Sequence, residues 1–143
     1  MFRSCACTRR TALAAIAGAG AAFVTKAKAA PDEHREFIAA AFRMKDEAVR
    51  AGDQPFGAVI VKDGTILGFG PSRVVLKKDP TAHAEREAIR EAQARLGRSD
   101  LSGAMLYSSS RPCSECERAA AAAHVARMFH GAEAADAGRP KRS

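Results

Sequence analysis

The segment Thr81-Ala82-His83-Ala84-Glu85 is followed about thirty residues later by a second segment, Pro112-Cys113-Ser114-Glu115-Cys116. Apolar residues recur at helical spacing after the first segment and predict a helix over 83–96, with Gly97 as its stop. The second segment begins with proline, which suits the first turn of a helix, and it predicts a helix over 112–123. The sequence therefore places reactive side chains at the start of two helices.

The reactive side chains of these segments match the ligands of a zinc site. Cys113 and Cys116 are one helical turn apart and point the same way, and His83 adds a ring nitrogen. One nitrogen and two sulfurs form an open site whose fourth position is left for water, and helix N-termini favour the thiolate forms that bind metal. Glu85 follows His83 by two residues and is predicted to accept a proton from that water.

The remaining sequence predicts one α/β domain over residues 30–131. Asp63-Gly64 joins two β-rich runs and is a dipeptide preferred in tight hairpins. The predicted elements are a helix at 33–50, strands at 56–62 and 65–70, a loop at 71–79, a helix at 83–96, a strand at 104–108, a helix at 112–123 and a strand at 127–131. This order indicates one sheet with helices on its faces. Residues 132–143 carry no large apolar side chain and are predicted to be a disordered tail.

Residues 1–29 are predicted to be a signal peptide of the twin-arginine type. Arg9 and Arg10 precede an uncharged run at 11–25, and Ala27-Lys28-Ala29 fits the small-residue rule for cleavage. The run is shorter than the ~20 residues that span a bilayer, which disfavours a membrane anchor. The match to the twin-arginine motif is partial, so the general secretory route stays open. We therefore expect a periplasmic or secreted protein with no membrane segment after cleavage.

The charge of the chain becomes nearly balanced once the leader is set aside. Five of the 23 basic residues precede Ala30, so 18 remain against 16 acidic residues, and this balance does not favour a nucleic-acid partner. Two of the four cysteines, Cys5 and Cys7, also lie in the leader. The other two, Cys113 and Cys116, have the spacing of a disulfide or redox pair, and the cysteines alone leave that alternative open.

Five segments of the chain carry a resemblance to a known family, and they lie at 55–61, 79–85, 100–103, 106–109 and 112–116. They resemble the cytidine and deoxycytidylate deaminase superfamily, whose signature is His-x-Glu followed by Pro-Cys-x-x-Cys. Within it, the chain is most similar to the branch of guanine, cytosine and tRNA adenosine deaminases. The resemblance implies a three-layer α/β/α domain with a mixed sheet of about five strands, one zinc ion per chain and a homodimer.

The resemblance also implies an activity on a small molecule. It implies a hydrolytic deaminase of a nucleobase or nucleoside of the guanine or cytosine type, in which a zinc-bound hydroxide attacks the amine-bearing ring carbon and ammonia is released. The expected metal ligands are His83, Cys113 and Cys116. The expected catalytic residue is Glu85, which would take the water proton, protonate the ring and assist the departure of ammonia.

Three further residues are expected to contact the substrate. Phe56 is a candidate wall of the pocket, and the backbone near Ala84 is a candidate donor. Ser72 stands in Gly70-Pro71-Ser72-Arg73, where the resembled branch has Gly-His-Asn-Arg and its asparagine binds the base. Serine is shorter and reads a base less well. This departure leaves open a second interpretation, a non-catalytic zinc-stabilised domain of the same fold.

Overall fold

The computed structural model describes residues 31–142, and the leader predicted at 1–29 lies outside the described residues. The elements in chain order are α1 (Pro31–Arg50), β1 (Gly57–Lys62), β2 (Thr65–Pro71), α2 (Val74–Lys77), α3 (Ala84–Leu96), β3 (Met105–Ser108), α4 (Ser114–Ala122), β4 (Arg127–His130) and β5 (Ala135–Gly138). Every helix and strand predicted from the sequence is present. Among the described residues, no helix is both long and apolar enough to cross a membrane.

The five strands form one mixed sheet in the order β2-β1-β3-β4-β5. Strand β1 pairs antiparallel with β2 and β3, β3 pairs parallel with β4, and β4 pairs antiparallel with β5. The turn between β1 and β2 contains Asp63 and Gly64 at φ values of 50° and 75°, and positive φ at both central residues is what a tight type I′ hairpin requires. The mixed sheet and the Asp63-Gly64 hairpin are both confirmed.

Helices cover both faces of the sheet because side chains alternate along its inner strands. On β1, Val59 and Val61 pack in the cluster that includes the apolar side of α1. Ala58 and Ile60 point the other way and pack in the cluster formed with α3 and α4, where Leu106 of β3 joins them. The fold is therefore the expected three-layer α/β/α arrangement.

Two glycines of β2 allow α3 to lie directly against the sheet. A Cβ atom at Gly70 would stand 2.0 Å from the carbonyl oxygen of Ala84, and one at Gly68 would stand 2.0 Å from that of Ala88. No residue with a side chain fits at that distance. Because Ala84 is the first residue of α3, the contact at Gly70 fixes where this helix begins and so where His83 lies.

Two sequence predictions were wrong in local detail. Residues 132–143 were expected to be disordered, but 135–138 form the edge strand β5 on β4. This strand consists of small residues and is held by backbone pairing, with an ion pair between Asp136 and Arg127 at 2.8 Å. The loop expected at 71–79 contains the short helix α2. This helix forms because the Asp53 carboxylate, 22 residues before Val75 in the sequence, accepts the amides of Val75 and Leu76 in its first turn.

Candidate metal centre and catalytic site

The three predicted metal ligands lie at the N-terminal ends of two helices. His83 is the N-cap of α3 and Cys113 is the N-cap of α4, and both have extended backbone conformations. Cys116 lies in the first turn of α4, where its amide donates a hydrogen bond to the Cys113 sulfur at 3.4 Å. The extended caps turn the His83 and Cys113 side chains toward the gap between the two helix ends.

The distances among the three ligand atoms fit a single metal ion. His83 Nδ1 lies 3.6 Å from Cys113 Sγ and 3.4 Å from Cys116 Sγ, and the two sulfurs are 3.3 Å apart. In a tetrahedral site with Zn–N of ~2.0 Å and Zn–S of ~2.3 Å, a nitrogen and a sulfur ligand stand about 3.5 Å apart and two sulfurs about 3.8 Å apart. Both nitrogen–sulfur distances match this geometry, and the two sulfurs lie about 0.5 Å closer together than it requires. Residues 83, 113 and 116 are also the only group of three or more such ligands within the described part of the chain.

The environment of the cysteines favours a cation between them. Burial raises the pKa of the Cys116 thiol, and the nearby Glu85 carboxylate and Cys113 thiol raise it further. A thiolate at this position therefore needs a positive charge beside it. Cys113 is exposed whereas Cys116 is buried, so the cluster has one side open to solvent. Three protein ligands with one open side match a catalytic zinc site better than a closed structural site.

Glu85 lies beside this cluster in the first turn of α3. Its side chain is only 5% exposed, and it interacts with the Cys116 thiol. The Ser108 hydroxyl donates a hydrogen bond to Glu85 Oε1 at 2.9 Å. The sequence did not single out Ser108 as a site residue. Its signal is that Ser108 lies two residues after Leu106 on β3, so it is a polar side chain on the same buried face of the strand. A buried carboxylate next to three ligand atoms is suited to moving protons at the metal position.

The structure places the three expected substrate contacts differently. Phe56 precedes β1 and is 40% exposed, so its ring is accessible to form a wall of the substrate pocket. Ala84 is fully buried at the start of α3. Ser72 is also fully buried, and its hydroxyl donates to Asp53 Oδ1 at 2.8 Å. The expected contact between the Ser72 side chain and a base is therefore not available in this conformation, because Asp53 holds the hydroxyl.

Asp53 joins two loops near the site and was also missed by the sequence analysis. Oδ1 accepts hydrogen bonds from the Gln54 amide and the Ser72 hydroxyl, both at 2.8 Å. Oδ2 accepts the amides of Val75 and Leu76 at 3.0 and 2.9 Å. Burial raises the pKa of Asp53, but these four hydrogen bonds together outweigh it and leave the pKa below its ordinary value of 3.8. The carboxylate is therefore a charged, fully bonded anchor of α2.

The anchored segment leads directly to His83, one of the three predicted metal ligands. The amide of Arg73, the residue after Ser72, donates to the carbonyl of Ala82 at 3.0 Å. Ala82 is fully buried and immediately precedes His83. The position of the His83 ring therefore depends on the loop that Asp53 holds as well as on helix α3.

Comparison with known proteins places this site in a family. The family model described as the cytidine and deoxycytidylate deaminase zinc-binding region matches residues 31–132. The guanine deaminase of Bacillus subtilis (strain 168) is 45% identical over 105 residues, which cover 73% of this chain and 67% of that protein. The tRNA-specific adenosine deaminase of Aquifex aeolicus (strain VF5) is 38% identical over 96 residues, which cover 67% of this chain and 64% of that protein.

Solved structures give the same result. A crystal structure of guanine deaminase from Bacillus subtilis superposes with a TM-score of 0.67 at 44% identity, and the match covers 69% of this chain and 64% of that chain. The chain thus spans about two thirds of the length of these relatives. Because the family model covers most of the chain and includes all three predicted ligand positions, the chain belongs to the cytidine and deoxycytidylate deaminase family.

Proposed function

We propose that the protein is a zinc-dependent hydrolytic deaminase of a nucleobase or nucleoside of the guanine or cytosine type. The observation that carries this proposal is the buried Glu85 carboxylate beside the imidazole and two thiols that can hold a metal ion. This set supplies every group that hydrolysis of an exocyclic amine requires, namely metal ligands, an open side and a proton carrier.

The chemistry divides between the metal and Glu85. A zinc ion held by His83, Cys113 and Cys116 would supply an acidified water as the nucleophile. Glu85 would accept one proton of the water on a carboxylate oxygen and deliver it to the ring nitrogen as the C–O bond forms. It would then carry the second proton of that water to the exocyclic amine, whose C–N bond breaks to release ammonia. Its burial keeps bulk water from competing for these protons.

Two observations support a small substrate rather than a tRNA. Residues from Ala30 onward carry 18 basic and 16 acidic side chains, which gives little attraction for a polyanion. The relative described as a guanine deaminase is 45% identical, compared with 38% for the tRNA-specific relative. We assign the exposed ring of Phe56 as a stacking wall for the base.

A second candidate function is a zinc-stabilised domain without catalysis. It is favoured by one observation, the burial of Ser72 against Asp53, which removes this side chain as a reader of the base. A thiol redox protein is less well supported, because the His83 ring lies within 3.6 Å of both sulfurs and completes a ligand set.

Ammonia release from purified, zinc-loaded protein distinguishes these functions. The panel contains guanine, cytosine, adenine and their nucleosides, with a tRNA as a separate arm. The proposal expects ammonia from at least one base or nucleoside and none from tRNA. Release from tRNA alone would overturn the substrate assignment. Stoichiometric zinc with no release from any substrate would favour the non-catalytic domain.

We also propose that the protein forms a homodimer. Val75 and Leu76 of α2 are each 53% exposed, so this short helix presents apolar surface to solvent. Exposed apolar side chains of this kind are common where a second subunit packs. Sedimentation equilibrium should give twice the chain mass, and a monomer at micromolar concentration would contradict the proposal.

A further inference from the structure

We propose that Ser108 is a positioning residue that holds one oxygen of Glu85 and leaves the other oxygen to carry the proton. This inference rests on the proposed function for its catalytic consequence. The contact itself is independent of that function, because it is a hydrogen bond of 2.9 Å between two buried side chains.

Ser108 is fixed on both sides by the sheet. It is the last residue of β3, an inner strand, and its Cα pairs with Ala58 of β1 and His130 of β4. Its carbonyl accepts the Gly131 amide at 3.0 Å. The Ser108 hydroxyl is therefore held by an inner strand of the sheet. Glu85 lies in the first turn of a helix, where the backbone is less restrained than in the centre of a sheet.

The direction of the hydrogen bond decides which oxygen is free. A carboxylate only accepts, so the Ser108 hydroxyl must donate its one proton, and the structure directs that proton to Oε1. Ser108 is 1% exposed and Glu85 is 5% exposed, so water cannot readily replace this partner. Oε1 is then held by Ser108, and Oε2, which Ser108 does not bind, is the oxygen that carries the proton.

Loss of this hydroxyl has a specific kinetic consequence. Without it, the terminal torsion of Glu85 becomes free to rotate, because the last torsion of glutamate is broad. Proton transfer depends on close placement of donor and acceptor, so turnover should fall, whereas ground-state binding of the base should change little. If Ser108 had only a structural role, its replacement would lower the stability of the fold and would not lower kcat selectively while leaving KM unchanged.

The test compares Ser108→Thr with Ser108→Val in the zinc-loaded enzyme. The two side chains have nearly the same shape and differ in the hydroxyl, so a packing defect affects both. We expect Ser108→Val to lower kcat about tenfold with KM within about twofold, and Ser108→Thr to retain most of the wild-type kcat. Ser109→Ala is the matched control, because that hydroxyl accepts the Gly57 amide and does not contact Glu85.

A double-mutant cycle with Glu85→Gln completes the test. If Ser108 acts through Glu85, Ser108→Val should lower the residual turnover of the Glu85→Gln enzyme by less than twofold. Equal kcat values for the Thr and Val variants, or an undiminished effect in the Glu85→Gln background, would overturn the proposal.

If the wild-type protein releases ammonia from no substrate, the proposed function has failed rather than this contact. The thermal midpoints of wild type, Ser108→Ala, Glu85→Ala and the double variant then test the contact. We expect Ser108→Ala to lower the midpoint by several degrees in the wild type and by less than half as much in the Glu85→Ala background. Equal shifts in the two backgrounds would overturn the proposal even for an inactive protein.

Discussion

The Asp53 carboxylate should contribute a large share of the stability of the loop that leads to His83. In Asp53→Ala, the fully buried Ser72 hydroxyl and the amides of Val75 and Leu76 lose their acceptor. An unsatisfied buried hydroxyl costs about 1–3 kcal/mol, and loss of a side-chain acceptor at a helix start costs about 1 kcal/mol. We therefore expect the free energy of unfolding to fall by about 2–4 kcal/mol.

Urea denaturation at a fixed excess of free zinc measures this change. The loss of unfolding free energy in Asp53→Asn should be smaller than in Asp53→Ala. The asparagine oxygen can still accept hydrogen bonds, but its NH2 group would lie against N–H or O–H groups that have no acceptor. Asp46→Ala is the matched control, since Asp46 is an exposed residue of α1, and it should change the free energy by less than about 0.5 kcal/mol. A loss below about 1 kcal/mol in Asp53→Ala would show that water replaces the carboxylate and would refute this reasoning.

The dependence of this effect on pH follows from the lowered pKa of Asp53. A carboxyl group whose pKa is lower in the folded state stabilises the fold above its unfolded pKa, which is close to 3.9. That contribution is lost as the pH falls through the lower folded value. The difference between wild type and Asp53→Asn should therefore be constant near neutral pH and shrink below pH ~4.

Three other changes give expected outcomes. Cys113→Ala should lose bound zinc and activity together, because two ligands make a poor site, and full zinc occupancy by elemental analysis would show that the ligands are misassigned. Gly70→Ala should lower the thermal midpoint by more than 5 °C, since the new Cβ would stand 2.0 Å from the Ala84 carbonyl oxygen; an unchanged midpoint would mean that α3 moves freely. We propose that Arg9 and Arg10 direct export of the folded, zinc-bound protein, so that replacing both with lysine retains active precursor in the cytoplasm, and unchanged export on fractionation would contradict this.

The grouping of Cys113 with Cys116 could be predicted from the sequence because it is local, whereas the approach of His83, which is 30 residues from Cys113, was expected from the His-x-Glu and Pro-Cys-x-x-Cys signature. Cys113 and Cys116 share one helical turn, and each of the two segments begins a helix, so spacing alone sets the direction of the side chains. The hairpin was predictable for a similar reason, since Asp63 and Gly64 adopt the positive φ values that only a few residues accept readily.

The supporting contacts and the last strand could not be predicted in this way. Asp53 meets Ser72 across 19 residues, and Ser108 meets Glu85 across 23, so each pair exists only after the sheet has formed. Strand β5 has no alternation of large apolar residues, and it forms because the edge of β4 offers unpaired backbone groups. Composition alone favours disorder for such a segment, and the pairing overrides it.

The most direct test of the central claim is the turnover and zinc content of Glu85→Gln, with Glu87→Gln as a control on the same helix. Glu87 pairs with Lys77 and Arg90 and takes no part in the proposed site. On the best substrate of the panel, we predict that Glu85→Gln keeps one zinc per chain and loses turnover about 10²–10⁴-fold, while Glu87→Gln stays near wild type. Near-normal ammonia release by zinc-loaded Glu85→Gln would contradict the claim that this carboxylate carries the proton.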